Sequence, residues 1–245
     1  MIAVEICLET VQSLRAARDA GADRVELCAS LAVGGLTPSP GMMRFAAELG
    51  MPVRVLLRPR GGTFTYDADE IAVIERDITA VRGFGLGGVV IGAAHPDGRL
   101  DRDRLARLID QCDGLGRTLH RVFDLTPDPF EALELAIELG FDRILTSGQQ
   151  PTAAEGAPLL ARLVAAADGR ITILAACGID ADNVGELIRA TAVTEVHSTT
   201  TDGLAVRTVV EDDRFGFGYP PVNAASLAVR RLVETAKAAG GIKEA

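Results

Sequence analysis

The chain has 245 residues, 48% hydrophobic and 24% charged, with a formal net charge of −9. That length suits one large α/β domain or two small ones, and the acidic balance without any Lys/Arg cluster excludes a nucleic-acid backbone or an anionic membrane as partner. Cys7, Cys28, Cys112 and Cys177, 21, 84 and 65 residues apart, fit neither a zinc-ribbon spacing nor a secreted disulfide framework; with no leader pattern and no apolar run of spanning length, a cytoplasmic chain with reduced thiols is expected.

Taken in chain order, apolar β-branched runs alternate with helix-period segments. A strand is expected over Ile2 to Cys7, then a helix over Thr10 to Ala20. The pairs that follow are Arg24 to Cys28 with Pro40 to Leu49, Val53 to Arg58 with Ala68 to Phe84, and Gly88 to Gly92 with Asp101 to Leu115. The second half repeats the pattern: Thr118 to Val122 with Pro129 to Leu139, Arg143 to Ser147 with Glu155 to Ala167, Thr172 to Cys177 with Asp180 to Ala190, and Glu195 to Ser198 with Asn223 to Ala239. Thr10, Ser39, Asp67, Asp128 and Asp180 serve as N-caps or lie beside one. Gly21, Gly50, Gly85, Gly140 and Gly240 follow helix ends.

Eight strand–helix pairs in this length predict a (β/α)8 TIM barrel formed by residues 1–245 as a single domain. An open doubly wound sheet shows the same alternation, but it normally begins with a glycine-rich phosphate turn, and "CLETVQS" after strand one contains no glycine. An irregular stretch over 199–222 follows strand eight, and a short tail is expected at 241–245.

The motif "VEIC" at residues 4–7 returns as "VELC" at 25–28. Alternate side chains of a strand share a face, so with Val and Ile packed outward on the helices, Glu5, Cys7, Glu26 and Cys28 point into the barrel near its C-terminal mouth. Active sites of this fold lie there. Arg58 ends strand three and Arg60 follows it. His120 lies within strand five and Asp124 follows its end, Ser147 ends strand six, and Glu195 and His197 share a face on strand eight. Buried carboxylates need partners, which the arginines and histidines can supply.

Two chemistries fit this set. Cys7 and Cys28 on neighbouring strands, about 4.8 Å apart, could share a soft Cu(I) ion, with Cys177 as a possible third thiolate. Alternatively, Arg58 and Arg60, held in orientation by Glu5 and Glu26, bind a small phosphorylated or carboxylated metabolite. In that reading His120 is the acid or base and Asp124 fixes its tautomer. Ser147 and His197 contribute to substrate binding.

The stretches "VEIC", "GADRVELCASL", "GGLTPSPG", "RPRGGTFTY", "ERDI", "HRVFD", "RILTSGQQ" and "EVHS" are spread from Val4 to Ser198, about four fifths of the chain. In them the chain resembles the CutC family, named as copper-homeostasis proteins. The resemblance implies a (β/α)8 barrel, a cytosolic location, assembly as a homodimer or larger homo-oligomer, and Cu(I) ligation at the positions of Cys7 and Cys28. The chain departs from the family pattern at Thr63, at Ala176 and Cys177, and in "TTTDG" after strand eight.

Overall fold

A computed structural model describes residues 2–200 and 224–241. Among these, the strands are β1 (Ala3–Leu8), β2 (Arg24–Leu27), β3 (Val53–Leu56), β4 (Gly88–Ile91), β5 (Gly116–Leu119), β6 (Arg143–Thr146), β7 (Thr172–Ala176) and β8 (Glu195–Ser198). The helices that follow them are α1 (Val11–Asp19), α2 (Pro40–Glu48), α3 (Ala68–Gly83), α4 (Arg102–Asp110), α5 (Pro129–Glu138), α6 (Ala157–Ala167), α7 (Val184–Thr191) and α8 (Ser226–Gly241). All strand pairs are parallel, and β8 pairs with β1, so the sheet closes into the expected TIM barrel. Among the described residues, no helix is long and apolar enough to cross a membrane. The irregular stretch expected at 199–222 lies outside the described residues from 201 onward. Of the tail expected at 241–245, Gly241 closes α8 and the rest lies outside them.

Local chemistry explains where the elements start. Thr10 accepts from the Ser13 amide, and Ser39 accepts from Met42 with Pro40 as the first helical residue. Asp67 and Glu70 form a reciprocal capping box at α3. Two expectations need correction. Asp180 does not cap α7; it closes a preceding turn by accepting from the amides of Asp182 and Asn183. The fifth strand ends at Leu119 rather than Val122, because the His120 side chain captures the Val122 amide and starts a 3-10 turn over Arg121–Leu125. A local side chain–backbone bond here outcompetes the ladder.

The strand faces divide by chemistry. Val4, Ile6, Val25, Leu27, Val53, Val55, Val89 and Ile91 join the helices in one continuous apolar layer outside the barrel. The opposite residues fill the interior. Near the N-terminal end lies an ion network: Glu5 accepts from Arg24, which also bonds Glu195 at 2.6 Å, and Arg143 holds Glu195 at 2.8 Å. Arg54 reaches across to the Gly87 carbonyl, its guanidinium lying over Gly88 and Gly116, where any side chain would displace it. Above this layer sit two small apolar clusters, Cys7, Cys28, Leu56 and Val90 on one side and Leu145, Leu174 and Ala176 on the other. The cavity opens above them.

Candidate functional site

The C-terminal mouth encloses a cavity of about 600 Å³, within the range typical of small-molecule sites. Cys7, Glu26, Cys28, Arg58, His120, Asp124 and His197 all contribute to its wall. They arrive from different strands, and the barrel register brings them together. In the parallel pairing Cys7 stands opposite Glu26, and Glu5 opposite His197.

On the β1–β2–β8 side, the sulfurs of Cys7 and Cys28 lie 3.7 Å apart. A carboxylate oxygen of Glu26 completes a set of three ligand atoms mutually within 4.8 Å, all buried. His197 lies between two acids, with Nδ1 2.8 Å from Glu5 and Nε2 3.7 Å from Glu26. Burial alone would raise the Glu5 pKa, but His197 and Arg24 reverse this and hold it at about 2. The Cys28 thiol, donating to Cys7, draws the Cys7 pKa down to about 5 against the cost of burial, with help from His197. Burial and the neighbouring Cys7 push Cys28 well up. Burial, then Cys7, also raises Glu26, while His197 is raised against its own burial by Cys7 and Glu5. These mutual effects favour charge on Glu5 and on His197 and make Cys7 the more acidic of the two thiols.

This donor set fits a thiophilic metal. Cys7 and Cys28 would hold such an ion, with Glu26 as the third donor. Cys177, considered as a third thiolate, is not in the cluster. It sits at a positive φ of 80° and lines a separate cavity beside Arg121 and Ile179.

On the β3–β5 side the expected arrangement is only partly present. Arg58 lines the cavity, but Glu5 and Glu26 do not orient it, being engaged with Arg24 and His197. The carbonyls of Val33, Gly35 and Gly62 hold its guanidinium at 2.8–3.1 Å. Arg60 is absent from the wall: it pairs with Glu70 of the α3 capping box and stacks over Tyr66, so it fastens its loop to the helix. Asp124 does not touch His120. It is saturated by Arg121 at 2.9 Å, by the hydroxyl of Thr146 and by the amides of Ser147 and Gln149. Ser147 is fully buried beneath it, bonding Asp124, Arg121 and the Gln150 carbonyl. Ser147 thus braces the loop after β6 rather than facing the cavity.

Three contributors escape a strand-by-strand reading. Arg24 shares the inward face of Glu26 and Cys28, a period-2 signal present in "RVELC". Arg121 turns inward only because the 3-10 turn replaces the strand end. Phe64, from the loop after β3, packs on both Arg58 and His120; no periodicity points to it.

Fold and site together define a (β/α)8 barrel with a charged, thiol-bearing cavity at its C-terminal mouth. Residues 2–202 match the sequence profile of the CutC family. The chain is 52% identical over 198 residues to family protein CutC of Sinorhizobium medicae (strain WSM419), covering 81% of each chain. It is 50% identical, with the same coverage, to family protein CutC of Caulobacter vibrioides (strain NA1000 / CB15N). CutC of Streptococcus agalactiae, known from its crystal structure, superposes with a TM-score of 0.77 at 33% identity, covering 81% of this chain and 99% of that one. Phosphoribosylanthranilate isomerase of Thermotoga maritima, at 13% identity and a TM-score of 0.60 over 97% of this chain and 100% of that one, shares the fold alone. The chain belongs to the CutC family.

Proposed function

We propose that this chain binds copper as Cu(I) through Cys7 and Cys28, with Glu26 as a third donor, in the service of copper homeostasis. The observation that carries this reading is the buried sulfur pair at 3.7 Å with a carboxylate beside it. Soft thiolates select Cu(I), and the low pKa of Cys7 supplies one thiolate without proton loss at neutral pH. The S. agalactiae relative is named for copper homeostasis. A cytosolic location, where thiols stay reduced, and assembly as a homo-oligomer complete the proposal.

The test is an anaerobic competition titration of the reduced protein against a chromophoric Cu(I) chelator, with Cys7→Ser/Cys28→Ser in parallel. Loss of outer-shell partners typically costs a metal site 10–100-fold, so loss of both sulfurs should weaken Cu(I) by more than about 100-fold. Equal affinity in the two proteins rejects the site.

A further inference from the structure

We propose that the opposite wall of the cavity, between β3 and β5, is a second site that binds a small 2-oxo carboxylate. Arg58 takes the carboxylate, and the Nε2–H of His120 donates to the oxo oxygen.

Arg58 is 6% exposed, and among the described residues no carboxylate pairs with it. Three carbonyls fix its guanidinium but do not cancel its charge; the buried Tyr66 hydroxyl is a neighbour, yet neither it nor the Arg58 Nε–H makes an aligned hydrogen bond. A buried charge without a counter-ion is costly, so the site is completed by an anion. The Gly34 backbone sits so close that a side chain there would press on the guanidinium, which keeps the fork from swinging away.

His120 supplies the second donor. Its Nδ1 accepts from the Val122 amide at 3.1 Å, so in the neutral ring the proton resides on Nε2. Burial, reinforced by the positive charge of Arg58, lowers the pKa to about 3 and keeps the ring neutral. Nε2 is buried with no partner, an expensive state for a donor. The ring is closely packed: Gly92 lies against its Nδ1–Cε1 edge, where an added Cβ would come within 2.7 Å of Nδ1, and Phe64 packs on it at 4.6 Å between ring centroids. The same Phe64 ring carries the Arg58 guanidinium at 4.9 Å. One aromatic side chain thus packs against both the His120 ring and the Arg58 guanidinium.

The chemistry of the wall selects the ligand. Both groups only donate, so the ligand must present acceptors, one anionic and one beside it. A neutral imidazole suits a neutral carbonyl oxygen, whereas a phosphate dianion calls for a second cation, and Arg121 is already committed to Asp124. Leu31, Val33, Leu56 and Leu125 form the apolar remainder of the wall, which accommodates a hydrocarbon tail. A donor fixed on the carbonyl oxygen would also polarise that bond, the pattern by which electrostatic preorganisation assists reactions next to carbonyls.

The experiment uses the intact reduced protein, metal-free. Calorimetry would follow a series of straight and branched 2-oxo acids, with 4-methyl-2-oxopentanoate compared directly against 4-methylpentanoate and inorganic phosphate. We expect the oxo acid to bind at least about tenfold more tightly than the acid lacking the oxo oxygen, the size of one hydrogen bond to a buried donor. R58K should lose the affinity. H120F should bind the two acids equally, while H120Q, which keeps a donor near Nε2, restores the preference. A ¹⁵N-histidine spectrum should independently show His120 as the neutral Nε2–H tautomer. No binding by any oxo acid in the series, equal binding of both acids by the wild type, or an Nδ1–H or cationic His120 overturns the proposal. Binding that persists in C7S/C28S separates this site from the copper site, so either can fail alone.

Discussion

Replacing Glu5 by Gln tests the ion network beneath the cavity. The Glu5 carboxylate is fully buried and is shared by Arg24 Nε and His197 Nδ1, the latter at 2.8 Å. After the substitution Arg24 keeps Glu195, while His197 loses its ionised partner at Nδ1 and keeps Cys7 and, at 3.7 Å, Glu26. Removing one partner of a buried pair typically costs about 3–5 kcal/mol. Linkage gives a second figure: a carboxylate held at about 2 instead of 4.5 corresponds to roughly 3 kcal/mol at neutral pH. A loss of about 3–4 kcal/mol is therefore expected. At about 2–4 °C per kcal/mol for a chain near this size, the melting temperature should fall by roughly 6–16 °C. Scanning calorimetry at pH 7, with urea unfolding as a cross-check, reads both quantities. A loss below about 1 kcal/mol would mean the network behaves as a surface pair and would refute the reasoning.

Acid stability should carry the signature of His120. Its folded pKa of about 3 lies below the ordinary 6.5, so as pH falls below 6.5 the unfolded chain takes up a proton the native state refuses. That drains about 1.4 kcal/mol per pH unit, and H120Q should remove this slope between pH 6.5 and 4.5; an unchanged urea-denaturation slope would show that His120 is protonated in the fold. Glu5, depressed to about 2, adds its own loss only as pH drops from 4.5 toward 2, and His197, raised, contributes stability that disappears instead as pH climbs through its folded pKa. Gly92→Ala should cost about 1–3 kcal/mol as overpacking and perturb the His120 resonances, because the added methyl meets the imidazole edge; wild-type His120 shifts in this variant would contradict that contact. Thiol labelling should find Cys7 reactive near neutral pH once the cavity is reached and Cys112 inert, since burial pushes the latter to about 11; equal rates would rule out the thiolate assignment.

Much of this is legible in the sequence, for physical reasons. Strand alternation is strict, so "VEIC", "VELC" and "EVHS" announce which residues face inward, and closure of the barrel then sets Glu5 opposite His197. Partner choice is less legible. Nothing in period or spacing says that carbonyls of two loops hold the Arg58 guanidinium, or that Arg60 turns back to Glu70. Those outcomes depend on loop paths, where no repeat constrains the side chain. Asp124 illustrates a related failure: its place after His120 suggests a tautomer-fixing pair, yet the 3-10 turn rotates it onto the amides of the β6 loop. The deciding bond there, from the Val122 amide to His120, is local, but its competition with one more strand residue turns on packing that the sequence does not display.

X-ray absorption on the reduced protein loaded with one equivalent of Cu(I) tests copper ligation by the two thiols. Two sulfur neighbours and one lighter oxygen neighbour, from Cys7, Cys28 and Glu26, are expected, with the sulfur shell absent in C7S/C28S. A copper environment of oxygen and nitrogen alone, or a spectrum that survives removal of both thiols, would contradict it.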